Sequence, residues 1–186
     1  VYESIHRAWM GDTLEGLKDF IRIPAKSRAF NPNWESDGIL KRTLEDSAEW
    51  GRRLLPCAEF EIIEKPGIPP ALFIRIPTAG GHKGKPAFFY GHLDKQPEMT
   101  GWDDDLGPWT PVLRGDKLYG RGGADDGYAI FGSLAAVLAL QEQGLPHARC
   151  VILIEACEES GSYDLPAYVD HLAARIGKPS LVVCLD

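Results

Sequence analysis

The sequence predicts an α/β fold, with a mixed, mainly parallel sheet flanked by helices. Two observations predict it. After residue 127 the chain alternates helix, strand, helix, strand, the order that places strands in parallel. Residues 151–156 and 180–185 are almost continuously apolar, the pattern of strands covered on both faces. A chain of 186 residues makes one domain, or one plus a fragment, and can bury a sizeable core.

The elements follow in order. Ile5, Trp9, Leu14, Leu17, Phe20 and Ile21 recur near the helical period, so residues 2–22 read as helix. Asp12 and Thr13 are placed to cap a second helix within that stretch, and Pro24 ends it. Polar, turn-rich residues 26–37 read as loop. Helix resumes over 38–54 on Ile39, Leu40, Leu44, Trp50 and Leu54. Residues 59–65 alternate as a strand, 67–70 have turn chemistry, and 71–76 form a second strand. A loop over 80–85 leads to a short apolar strand at 86–90. Residues 91–127 have little regular pattern but much Gly, Asp, Trp and Pro, and loops that long are usually functional. Residues 128–143 are a helix rich in Ala and Leu, stopped by Gly144 and Pro146. Residues 164–176 are helical, between the two apolar strands.

Composition narrows the function. Hydrophobic residues make up 44% and charged residues 25%, which excludes disorder. No stretch approaches the ~18 uninterrupted apolar residues of a membrane span. Lys+Arg 20 against Asp+Glu 27 gives −7, which argues against nucleic acid or an anionic membrane as partner. Residues 1–22 lack the apolar region of a secretory signal. Cys57, Cys150, Cys157 and Cys184 form no C-x-x-C pair. The last three read as small buried hydrophobes, a usage that fits a reducing, cytoplasmic compartment. The chain opens at Val1 and stops at Asp186, just after an apolar run, so a fragment of a longer protein is expected.

The chemistry sits at strand ends. Gly91-His92-Leu93-Asp94 follows one strand, Glu158-Glu159 another, and Asp186 the last; Asp125-Asp126 precedes the long helix. Taken singly, His92 reads as a structural histidine, Asp125-Asp126 as a helix N-cap pair and Glu158-Glu159 as a solvated turn. In an open α/β sheet, however, strand ends converge on one crevice. Four carboxylates gathered there would repel, and a divalent metal or two removes the conflict. One imidazole among carboxylates suits zinc, and manganese or cobalt less distinctively. Asp94, two residues after His92, is placed to accept from the ring nitrogen that does not face metal. The run 120–123 fails the dinucleotide pattern, because Asp125 stands at its last glycine position, and no Walker or Gly-x-Ser-x-Gly pattern occurs.

The strings FFYGHLDKQP, GWDDDLGPWTPVLRGDKLYGRGGADDG, ILIEACEESGS and LVVCLD resemble the di-zinc metallopeptidase family of carnosinase, cytosolic dipeptidase, aminoacylase and acetylornithine deacetylase. The order matches, and so does the spacing: 33 residues from His92 to Asp125 and 33 from Asp125 to Glu158. The resemblance implies that His92 ligates one zinc, Asp125 bridges both, Glu159 ligates the second and Asp186 completes the first. It implies Glu158 as general base, Asp94 as orienter of His92, and a cis peptide after Asp125. It further implies zinc-dependent hydrolysis of amide bonds in dipeptides, small peptides or N-acyl amino acids by a metal-bridging water, in a homodimeric parent.

Asp at 186 and the region 102–111 resemble the dipeptidase branch. Two departures stand out. Gly127-Tyr128 replaces the Lys-Gly of many relatives. The family's distal histidine ligand and its lid and dimerisation domain lie in segments this sequence lacks. Residues 1–186 therefore read as the N-terminal part of a catalytic domain, inactive alone. The alternative is a non-catalytic metal-binding or interaction domain on the same scaffold.

Overall fold

The computed structural model describes residues 2–186. Its strands are β1 (Glu59–Lys65), β2 (Ile68–Ile76), β3 (Ala87–His92), β4 (Val112–Arg114), β5 (Lys117–Tyr119), β6 (Cys150–Glu155) and β7 (Leu181–Cys184). Five form one sheet in the order β1-β2-β6-β3-β7, while β4 and β5 make a separate hairpin. β3 is parallel to β6 and to β7; β2 is antiparallel to β1 and to β6. The sheet is thus mixed, with β2 alone running against the other strands.

Alternation along the central strands sorts side chains to two cores, because successive residues face opposite sides of a sheet. Leu72, Ile74 and Ile76 of β2 and Ile152 and Ile154 of β6 enter one core. Ala71, Phe73, Val151 and Leu153 enter the other. The first core is roofed by three helices, α2 (Leu14–Arg22), α4 (Ile39–Leu54) and α5 (Tyr128–Glu142). The second is closed by the last helix, Leu165–Ile176, through Tyr168, Leu172 and Ile176. By length and composition the run Gly123–Glu142 could cross a membrane, but over half of it is buried inside this fold.

Several elements differ from expectation. The first helical stretch breaks at Gly11 (φ −96°, ψ −123°), leaving α1 (Tyr2–Ala8) with no buried residue. Thr13 makes no capping bond; its hydroxyl is buried and unpartnered. The loop 26–37 contains a short helix, α3 (Trp34–Asp37), which makes Leu165–Ile176 the sixth, α6. The β1–β2 turn is tighter than 67–70, since Ile68 already pairs with Lys65. The region 91–127 contains the β4–β5 hairpin. Finally, β7 is not buried: Leu181 and Val182 are 54% and 55% exposed, and Cys184 is exposed too. Among the described residues it pairs only with β3, and the apolar residues of α6 cluster over β1, β2 and β6 instead.

Candidate metal centre

Register brings the acids to one level. His92 at the end of β3 pairs with Glu155 of β6, and Tyr90 pairs with Cys184 of β7. Glu158 lies three residues past the first pair and Asp186 two past the second. Asp125 arrives from the segment that leads into α5. Its peptide bond to Asp126 is cis.

His92 is wholly buried. Its Nδ1 lies 3.1 Å from the main-chain carbonyl of Asp94 and 3.4 Å from the Asp94 carboxylate. Its Nε2 lies 3.1 Å from Asp125 Oδ1, 3.7 Å from Glu158 Oε2 and 3.9 Å from Asp186 Oδ2. Donor atoms of His92, Glu158 and Asp186 fall within 4.8 Å of one another, as do those of His92, Asp125 and Glu159. All six residues singled out from the sequence share one cleft. Glu158 stands nearer to Nε2 than Asp186 does.

Asp94 is wholly buried and ties the parts together. Its carboxylate accepts the main-chain N–H groups of Glu158 (3.1 Å) and Glu159 (3.0 Å), so it aims the acidic turn as well as the histidine. Ser160 in that turn meets the 26–37 loop: its Oγ accepts the Ala29 N–H at 2.9 Å and bonds the buried Ser27 hydroxyl. Gln96 donates its amide to Glu159. Asp126, also wholly buried, accepts the His92 N–H at 3.1 Å. Gly91 makes that approach possible, because a Cβ there would overlap Asp126 Oδ2 and Ala129 Cβ.

Electrostatics show what the cleft requires. Burial pulls the His92 imidazolium down, but the Asp94 hydrogen bond and the charges of Asp94, Asp126 and Glu158 outweigh it and raise the pKa to about 10. Burial pushes the Glu158 carboxyl up; His92 opposes, and Asp186, Asp94 and Asp125 add to the rise. Burial also raises Glu159, against the Gln96 hydrogen bond. Without metal the ring is therefore protonated at neutral pH, with Nδ1 donating to Asp94 and Nε2–H facing three carboxylates. A cation bound there would take the place of that proton among the carboxylates. A donor set of one imidazole nitrogen and carboxylate oxygens fits zinc, or manganese or cobalt.

Asp126, Gln96 and Ser160 had no role assigned from the sequence. Asp126 was visible only as half of an acidic pair. Nothing in the sequence sets Gln96 or Ser160 apart from its neighbours.

The description of peptidase family M20/M25/M40 matches residues 88–185, more than half of the chain. The chain belongs to this family. Over 97 residues it is 34% identical to a succinyl-diaminopimelate desuccinylase of Sphingopyxis alaskensis, covering 51% of this chain and 24% of the relative. Over 118 residues it is 36% identical to a Beta-Ala-His dipeptidase of Mus musculus, covering 59% and 23%. The crystal structure of human carnosine dipeptidase 1 superposes at TM-score 0.78 and 24% identity, over 98% of this chain and 40% of that one. That likeness extends the family's fold to nearly every residue here. The chain spans about a quarter of the length of these two curated relatives.

Proposed function

We propose that residues 1–186 supply the N-terminal part of the catalytic domain of a longer metallopeptidase, which hydrolyses amide bonds in dipeptides, small peptides or N-acyl amino acids. One observation carries the proposal: the Nε2 of a buried histidine faces three carboxylates within 3.9 Å. The relatives named a dipeptidase and a desuccinylase support the substrate class.

His92, Asp125 and Asp186 would hold one divalent ion, and Asp125 and Glu159 a second. Bound divalent ions polarise a scissile carbonyl and lower the pKa of water toward ~7. Glu158 takes the proton of the attacking water and delivers it to the leaving amine. Asp94 holds the proton on Nδ1 and keeps the acidic turn in place. A cytoplasmic setting fits four free cysteines. A homodimeric parent, with no nucleic-acid or membrane partner, completes the reading. The chain alone offers the second ion two ligands and is expected not to turn over.

The test is dipeptide and acyl-amino-acid hydrolysis by the longer protein, with its metal content measured. Turnover that chelation abolishes and zinc, manganese or cobalt restores is the expected result. Bound metal without turnover of any such substrate would leave a metal-binding domain and overturn the hydrolase reading.

A further inference from the structure

We infer that Tyr128 is a positioning residue for Asp186: its hydroxyl, donated to the Leu185 carbonyl, sets the end of β7 so that the Asp186 carboxylate faces His92. This rests on the metal-centre reading above. Next to Asp186 the Leu185 N–H donates to the Tyr90 carbonyl at 3.2 Å. Among the described residues no hydrogen bond aims the Asp186 carboxylate itself; it stands 3.9 Å from His92 Nε2. The backbone one residue earlier is held on both sides, and that bears directly on where the carboxylate stands. There the Tyr128 hydroxyl supplies the second anchor, on the carbonyl side.

Tyr128 is well placed to act so. It opens α5 three residues after Asp125, so one phenol couples the segment bearing Asp125 to the strand end bearing Asp186. Its ring packs against the first core, which fixes where the hydroxyl points. Gly127 makes the approach to the helix tight. Its N–H donates to the Gly122 carbonyl at 2.7 Å, and a Cβ there would overlap that oxygen and the Phe20 ring. Gly127 and Tyr128 thus act as one device: a turn too tight here for a side chain, then a tether.

The experiment compares Tyr128→Phe and Asp186→Asn in the longer, metal-loaded protein. Zinc affinity is read by competition with a chelator, and the thermal midpoint of the metal-free protein is read alongside. Removing the hydroxyl is expected to weaken zinc binding about tenfold, the scale of outer-shell substitutions, with the metal-free midpoint unchanged and activity regained at raised zinc. If Asp186→Asn weakens zinc and Tyr128→Phe does not, the inference falls while the metal centre stands. If neither variant changes zinc affinity, the metal-centre reading falls and takes the inference with it. A Tyr128→Phe protein whose metal-free midpoint drops together with its zinc affinity would mark a structural hydroxyl and also overturn the inference.

Discussion

Asp94 is a buried carboxylate, and among the described residues no lysine or arginine pairs with it. Its charge is met by the His92 ring and by two N–H groups of the acidic turn. A group serving three neighbours cannot be exchanged quietly: an amide at 94 would turn a donor toward one of those N–H groups. Asp94→Asn is therefore expected to weaken zinc binding about 10- to 100-fold, measured by chelator competition. Glu158 tests differently. It lies 3.7 Å from Nε2, close enough to be a ligand rather than a base. Glu158→Gln in the longer protein is expected to keep its zinc and lose about 10²–10⁴ in kcat. Zinc lost together with activity would make Glu158 a ligand. At this scale His92, Asp94, Asp125, Glu158, Glu159 and Asp186 were legible because strand-end acids in register form a recognisable spacing. Asp126 and Tyr128 were not, because their roles lie in which atom each side chain reaches.

Among the elements, the last turn of α2 depends on a residue from the segment after β3. Lys95 is wholly buried. Its Nζ donates to the carbonyls of Phe20 (2.7 Å), Ile23 (2.7 Å) and Ile21 (3.3 Å), and it lies 3.9 Å from the Phe20 ring centroid. These carbonyls lie at the helix end: those of Phe20 and Ile23 also accept the Ile23 and Ala25 N–H groups (3.1 and 2.8 Å), so the amine adds a second donor there and a donor to Ile21. Burial alone lowers its pKa to about 7; even the neutral amine can still donate two hydrogens. Lys95→Met is expected to remove about 1–3 kcal/mol of stability, read by urea denaturation, because it strips a buried helix end of three side-chain hydrogen bonds. Loss of under half that would mean water reaches the helix end. The main helices and strands were legible from periodicity. The clamp from the 26–37 loop was not, because Ser27 meets Ser160 across 133 residues and no local pattern encodes that meeting.

For the whole molecule, acids gathered around one histidine set the dependence on pH and metal. Burial raises the Asp126 carboxyl from 3.8 to about 7; His92 opposes, and Asp186 and Asp125 add to the rise. A carboxyl raised in the folded state contributes stability that is complete below its unfolded pKa and lost as pH rises through the folded one. His92, raised from 6.5 to about 10, works in the same sense over a higher window. These two groups are expected to make the metal-free protein lose stability from about pH 4 to about pH 7, above which the lowered Lys95 opposes His92, with added zinc reversing the loss. Thermal melts at about pH 5 and about pH 8, with and without chelator, would check it. A metal-free protein more stable at the higher pH would contradict it.

The amino-acid sequence alone determined the α/β class, most helices and strands, and the identity of six residues in the cleft. Each of those follows from local preference or fixed spacing, which a linear chain carries in itself. Only the tertiary structure decided that β7 lies exposed at an edge, that Asp94 grips the acidic turn, and that Tyr128 ties α5 to the last strand. Those are matters of which groups meet across long separations, and they are settled when the sheet register and the helix packing are in place.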